Sequence, residues 1–256
     1  MNGKSQSRIN KATNYIRDIF RKAEANELIK RNPTHQLVPP KGSIGNRRAL
    51  STDERKYFLR TVQKHPKGLL FAVSLACGLR PGEARALTKD CIVLDGPHPI
   101  IKIYHAIESG SKQIKQPKSS AGIRDVPIPN WYKTLLEKYL PTVTGELVFP
   151  SASGKALTET GYKRAWASFF RLMDIEAGAE LYRNQIIRHA IDQNLTPYYL
   201  RHTYATNLAE AGIDIKTAQY LLGHANIQMT AQIYTHVTSK MMSKAAERIN
   251  QISNDF

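Results

Sequence analysis

Residues 68–77, GLLFAVSLAC, are apolar on every side of a helix and interrupted only by Ser74. A helix with no polar face has to lie inside a core or inside a membrane. Spanning a bilayer takes about 20 apolar residues, and no other stretch of the chain is as apolar as these ten. The stretch is therefore expected as a central helix, residues 68–79, wrapped by the rest of a domain and not by lipid. With 256 residues and 41% hydrophobic composition, the chain can build one good core, or one core and a small appendage.

The elements that would wrap this helix are legible on both sides of it. Residues 8–29 carry Ile9, Ala12, Ile16, Ile19, Phe20 and Ala23 on one face at helical spacing, with no obvious neighbour to bury them. Residues 30–48, rich in proline, glycine and basic side chains, are expected as a linker. Ser51 with Glu54 three residues later forms a capping box opening a helix to about Val62. Between Cys91 and Ile128 the texture turns to β: CIVL, a DGPHP turn, IIKIYHAI, a polar loop and IRDVPIP. After Trp131 the pattern is helical, interrupted by VTGELVFPSASGKA and glycine-containing turns, and a last helix is expected over 239–252. The expected fold is mainly α with one small antiparallel β-sheet (α+β). Residues 1–50 form an N-terminal helix and linker, and 51–256 the main domain.

Charge narrows the function. The chain holds 37 Lys+Arg against 21 Asp+Glu, a net charge of +16, and its pI is near 9.8. Such an excess points to a polyanionic partner, nucleic acid before an acidic membrane surface. Cys77 and Cys91 are too few for a disulfide scaffold or a cysteine-rich metal site. The first residues, MNGKSQSRIN, have no apolar core of a secretory signal, so a soluble cytoplasmic protein is expected. His202, His224 and His236 lack the short histidine–carboxylate spacings of zinc hydrolases, and neither metal nor cofactor is expected.

LTPYYLRHTYAT, residues 195–206, gives that partner a contact point. Thr196 can cap a helix, Pro197 suits its first position, and Leu200, Tyr204 and Leu208 form a stripe widened by Ala205 and Ala209. Arg201 and His202 then sit in the first turn and a half, where a helix already favours an anion. Further candidates follow the same logic. Arg80 precedes a Pro-Gly turn in GLRPGEARAL, Lys118 lies in the loop of QPKSSAGIRDVPIP, and His224 and Tyr234 fall ten residues apart in LLGHANIQMTAQIYTHV. Metal-free phosphodiester cleavage needs cationic donors on the phosphoryl oxygens, a nucleophile, and an acid for the leaving oxygen. Two arginines, a phenol, and a lysine or histidine supply these. Singly, each has an ordinary structural reading; together and in this order they form a set.

That set resembles the tyrosine recombinase (phage integrase) family over residues 51–240. The resemblance rests on ACGLRPGEARAL, PKSSAGIRDVPIP, LTPYYLRHT and LLGHANIQMTAQIYTHV. It implies the family's DNA breaking–rejoining fold. Arg80 and Arg201 become the catalytic arginines, Glu83 shapes the turn, Lys118 is the hairpin lysine, His202 the candidate general base, and Tyr234 the nucleophile, with His224 beside it. Tyr198 stands where the family usually has histidine; it can donate a hydrogen bond but cannot carry positive charge.

The implied activity is site-specific recombination of double-stranded DNA, as by the integrase or transposase of a mobile element. It proceeds through a 3′-phosphotyrosyl intermediate, and type IB topoisomerase-like relaxation and a non-catalytic DNA-binding module are the alternatives. The resemblance further implies nucleoid association when bound and a tetrameric synapse on DNA. Helix 239–252 either docks on a neighbouring protomer or folds back on its own domain. Residues 8–29 resemble only the last helix of the family's core-binding domain, as if truncated.

Overall fold

The computed structural model describes residues 5–42, 48–108, 110–111, 113–117, 120–235, 242–243 and 245–247. The chain divides into two units, residues 1–47 and 48–256. In the first, α1 (Gln6–Ala25) starts two residues before the expected helix and ends four before it, at a turn where Glu27 takes a positive φ of 58°. The expected linker is not a free strand over residues 30–42. Arg17 donates to the Leu37 carbonyl (2.7 Å), Gln6 accepts from the Gly42 amide (2.6 Å), and Asn32 Oδ1 accepts from the Thr34 amide (2.9 Å). These side chains satisfy loop backbone that would otherwise need water, and fold the segment back along α1. Tyr15, Ile16 and Ile19 of α1 stay exposed.

The second unit opens with α2 (Thr52–Lys64), whose capping box forms as the sequence implies: the Glu54 amide donates to Ser51 Oγ and the Ser51 amide to Glu54 Oε2. Next come α3 (Gly68–Cys77) and α4 (Pro81–Arg85). The Pro-Gly expected as a turn begins α4 instead, because proline's fixed φ suits a first helical position and Glu83 accepts from the Arg80 amide (2.8 Å). A three-stranded antiparallel sheet orders β1 (Ile92–Val93), β2 (Ile100–Ile103) and β5 (Arg124–Pro127), while β3 (Ala106–Ile107) and β4 (Ile114–Lys115) pair separately. IIKIYHAI thus breaks at Tyr104–His105 into strands of two sheets.

The remaining elements are α5 (Asn130–Tyr139), α6 (Glu159–Glu176), β6 (Glu180–Tyr182), β7 (Gln185–Arg188), α7 (Pro197–Ala211), α8 (Ile215–Leu222) and α9 (Gln228–Tyr234). The β6–β7 hairpin corrects the expectation of helices and turns, without strands, after Trp131. Its two-residue turn, Arg183 and Asn184, has both φ values positive, the geometry hairpins prefer but without the glycine that advertises it. Both strands are largely exposed, so no alternation marks them. Tertiary bonds hold the hairpin: Arg171 donates to Asn184 Oδ1 (2.9 Å), and buried Asp174 accepts from His189 Nδ1 (2.6 Å) and the Ala190 amide (2.8 Å). The single small sheet expected is therefore three small sheets among the described residues.

Helix α3 lies at the centre. Leu70, Phe71, Ala72, Val73 and Cys77 are fully buried, and Phe71 packs edge-on against Tyr162 and Trp166 of α6. Truncating such a phenylalanine to alanine costs about 3–5 kcal/mol. The helix stops short of the expected Leu79 because Gly78 takes φ +66°, and a Cβ there would sit 2.3 Å from the Tyr204 ring. Leu200, Tyr204, Ala205 and Ala209 of the α7 stripe are buried, and Leu208 is half-buried. Pro197 holds the first position of α7, but the Thr196 hydroxyl makes no capping bond. Of the expected helix 239–252, residues 242, 243 and 245–247 are helical and the rest lie outside the described residues. Among the described residues no helix is long and apolar enough to cross a membrane, and no group of three or more His, Cys, Asp or Glu side chains is placed to hold a metal ion.

Candidate active site

Three arginines distant in sequence meet at the end of one helix. α8 finishes at Leu222 and turns through Gly223, whose φ is +61°. There a Cβ would sit 2.7 Å from Arg124 Nη1 and 2.9 Å from the Ala121 carbonyl. The last two carbonyls of α8 and that of its cap each accept from a different guanidinium: Leu221 from Arg124 Nε (2.8 Å), Leu222 from Arg201 Nη2, and Gly223 from Arg80 Nη2 (2.6 Å). Carbonyls at a helix C-terminus carry partial negative charge, so this is where cations can gather. Arg201 also donates to the carbonyl of Gly78, the cap of α3.

One carboxylate completes the cluster. Glu83 accepts from both Nη1 and Nη2 of Arg124 (3.0 and 2.9 Å), from Arg80 Nη1 (2.8 Å) and from the Arg80 amide (2.8 Å). Glu83 and Arg124 are buried. Burial alone would raise the carboxyl pKa, but the hydrogen bonds and charge of Arg124, with Arg201 and Arg80, outweigh it and hold it at about 2. Burial and the adjacent Arg80 likewise push Arg201 below the ordinary arginine value. Three guanidiniums against one carboxylate leave an excess of positive charge, and Arg80, one-third exposed at 34%, turns it outward.

His224 follows Gly223 directly. Its amide donates to the Gln219 carbonyl (3.1 Å), its carbonyl accepts from Gln219 Nε2 (3.0 Å), and its Nδ1 meets Thr230 Oγ1 at 2.9 Å. Burial first, then Arg201, Arg80 and Arg124, lower its pKa to about 4, so the ring is neutral at pH 7. A cavity of about 730 Å³ opens beside the cluster, bounded by Arg80, Ile107, Pro117, Trp166, Tyr198 and Gly223.

The residues singled out from the sequence are not all at this cavity. Arg80 and half-exposed Tyr198 border it, while Arg201 and His224 belong to the cluster and are not among the lining residues. His202 is half-buried on α7 and is not among the lining residues. The Tyr234 hydroxyl donates to the Ile213 carbonyl (3.0 Å), just past the C-terminal end of α7, and does not border the cavity. Burial and then Asp214 raise its pKa to about 12. Lys118 lies outside the described residues, although its neighbours Gln116 and Pro117 line the cavity. Two residues emerge only from the fold. Arg124 shares the buried face of its strand with Val126, and IRDVPIP contains that signal as a charge in step with buried apolar residues. Thr230 gives no signal of this kind.

The model of the phage integrase family matches residues 48–241. The chain belongs to that family. It is a tyrosine site-specific recombinase by this relationship and by its relatives. It is 28% identical to a XerC-like tyrosine recombinase of Caldanaerobacter subterraneus subsp. tengcongensis, over 98% of this chain and 67% of that protein. It is 29% identical to the tyrosine recombinase XerA of Thermococcus kodakarensis, over 98% of this chain and 78% of that one. Its fold is similar to the Tn1549 transposon integrase solved with transposon right end DNA, with a TM-score of 0.77, 22% identity, and coverage of 97% and 81%.

Proposed function

We propose that this family member is the DNA strand transferase of a mobile element, acting on double-stranded DNA through a 3′-phosphotyrosyl intermediate. The observation that carries this reading is the cluster itself: three guanidiniums held on one helix end and one carboxylate, beside an open cavity, is a site built for a phosphodiester. Arg80 and Arg201 hold the non-bridging oxygens. Tyr234 Oη attacks phosphorus, a Tyr–O–P bond forms as the P–O5′ bond breaks, and its proton passes to a base, His202 being the candidate. Lys118 gives a proton to the departing 5′ oxygen. Attack by a partner strand's 5′-hydroxyl then reverses the step. Tyr198 donates to a phosphate oxygen in place of the family's usual histidine, and His224 does so from the other side. Because Tyr234 rests on Ile213, its hydroxyl has to leave that carbonyl to reach the phosphate.

In this reading residues 1–50 are the end of a core-binding domain, 51–256 the catalytic domain, and protomers associate on DNA as a tetramer with help from helix 239–252. A suicide substrate, nicked next to the cleavage site, tests the chemistry. An adduct stable to denaturant, present with the wild type and absent with Tyr234→Phe, is the expected result. Reversible binding alone would make the chain a DNA-binding module, and an adduct that persists in Tyr234→Phe would remove Tyr234 as nucleophile.

A further inference from the structure

The contact between His224 and Thr230 settles more than the ring's position. Thr230 is fully buried, and its one described side-chain hydrogen bond is to His224 Nδ1, at 2.9 Å. A buried hydroxyl hydrogen needs an acceptor. If His224 donated from Nδ1, the Thr230 hydroxyl hydrogen would point at no described acceptor. If Thr230 donates, Nδ1 accepts, both groups are satisfied, and the proton of the neutral ring lies on Nε2. A doubly protonated ring would put two donors face to face and add a cation to Arg80, Arg124 and Arg201, which Glu83 offsets only in part.

We infer that Thr230 is a positioning residue: its hydroxyl donates to Nδ1 of His224 and fixes the imidazole as the neutral tautomer whose Nε2–H is free to donate. Nε2 makes no hydrogen bond with any described group, so it remains available to a phosphate oxygen beside the arginines. This last step rests on the phosphodiester reading above; the tautomer does not. The arrangement gives the site a neutral donor where a fourth cation would have to be desolvated. It also explains a threonine at this place in α9 with its hydroxyl turned inward. Such second-layer partners commonly decide which ring nitrogen of a histidine is protonated.

The experiment is ¹⁵N NMR of histidine-labelled full-length protein, with the His224 signals assigned by their loss in His224→Asn. In the wild type at pH 7, Nε2 is expected to show the shift of a protonated ring nitrogen and Nδ1 that of an unprotonated acceptor. In Thr230→Val the two nitrogens move towards a mixed-tautomer average, and in Thr230→Ser they return. On the nicked substrate, Thr230→Val is expected to slow cleavage at least tenfold with DNA affinity unchanged, below the hundredfold or more that follows deletion of a transition-state donor, and Thr230→Ser to restore it.

A protonated Nδ1 in the wild type overturns the inference without any variant being needed, even if Thr230→Val fails to fold. Wild-type-like spectra and cleavage in Thr230→Val overturn it too. The expected spectra together with no covalent adduct from the wild type would uphold the tautomer and sink the recombinase mechanism instead.

Discussion

Replacing Glu83 by glutamine isolates what one carboxylate does for the site. The substitution keeps the shape and leaves one carbonyl oxygen to accept. It removes the charge facing Arg124 and Arg80, whose guanidiniums stay in place on the α8 carbonyls. Two routes give its size. Breaking a buried ion pair by removing one partner costs about 3–5 kcal/mol. Independently, the Glu83 pKa falls from 4.5 to about 2 on folding, and about 2.5 units at 1.36 kcal/mol each come to about 3.4 kcal/mol. The group is buried, so no discount for solvent screening applies. The two routes agree at about 3–4 kcal/mol. Because the folded pKa is depressed, this stability is complete above the unfolded value of 4.5 and is lost as pH falls through about 2. At pH 3 about 1.4 kcal/mol remains by the same linkage. Urea unfolding of wild type and Glu83→Gln at pH 7 and at pH 3 should therefore show a gap of about 3 kcal/mol that narrows by about 2 kcal/mol in acid. A gap equal at both pH values would refute the electrostatic argument. A variant within about 0.5 kcal/mol of wild type, the ordinary range of a surface substitution, would refute the burial argument as well.

Arg80→Lys and Arg201→Lys should each slow cleavage of the nicked substrate about a hundredfold or more with charge preserved, since lysine lacks the planar fork; near-wild-type rates would make that arginine structural. Lys118→Ala should slow cleavage by roughly 10²–10⁴ and recover most of the loss on a substrate with a bridging 5′-thiolate, which leaves without a proton; equal deficits on both substrates would remove Lys118 as the acid. Gly78→Ala should destabilise the fold by about 1–2 kcal/mol from the left-handed backbone alone, and further from the clash with Tyr204; an unchanged melting temperature would contradict the geometry. His224 should stay unprotonated in an NMR titration until pH nears 4, because burial and the arginines disfavour its charged form; protonation near its ordinary value of 6.5 would place it outside the cluster.

What the sequence determined by itself is local. An all-apolar ten-residue helix has one place to go, and α3 is central. The Ser51–Glu54 box forms because both partners lie within one turn, and Pro197 starts α7 because its φ is already helical. The family motifs were likewise legible in order, since each is a short window. The tertiary structure decided what those windows face. The helix-start position of Arg201 gave no sign that its guanidinium is also braced on the carbonyls of Gly78 and Leu222. Arg124, not singled out from the sequence, is the buried partner of Glu83. The β6–β7 hairpin escaped notice because its strands have two exposed faces and its turn no glycine; Arg171 and Asp174 hold it from α6. The site's electrostatics depend on residues 80, 83, 124, 201 and 221–224 converging on one helix end. Periodicity and capping act over a few residues of chain, whereas charge and hydrogen bonding act over a few ångströms of space, and only folding converts one distance into the other.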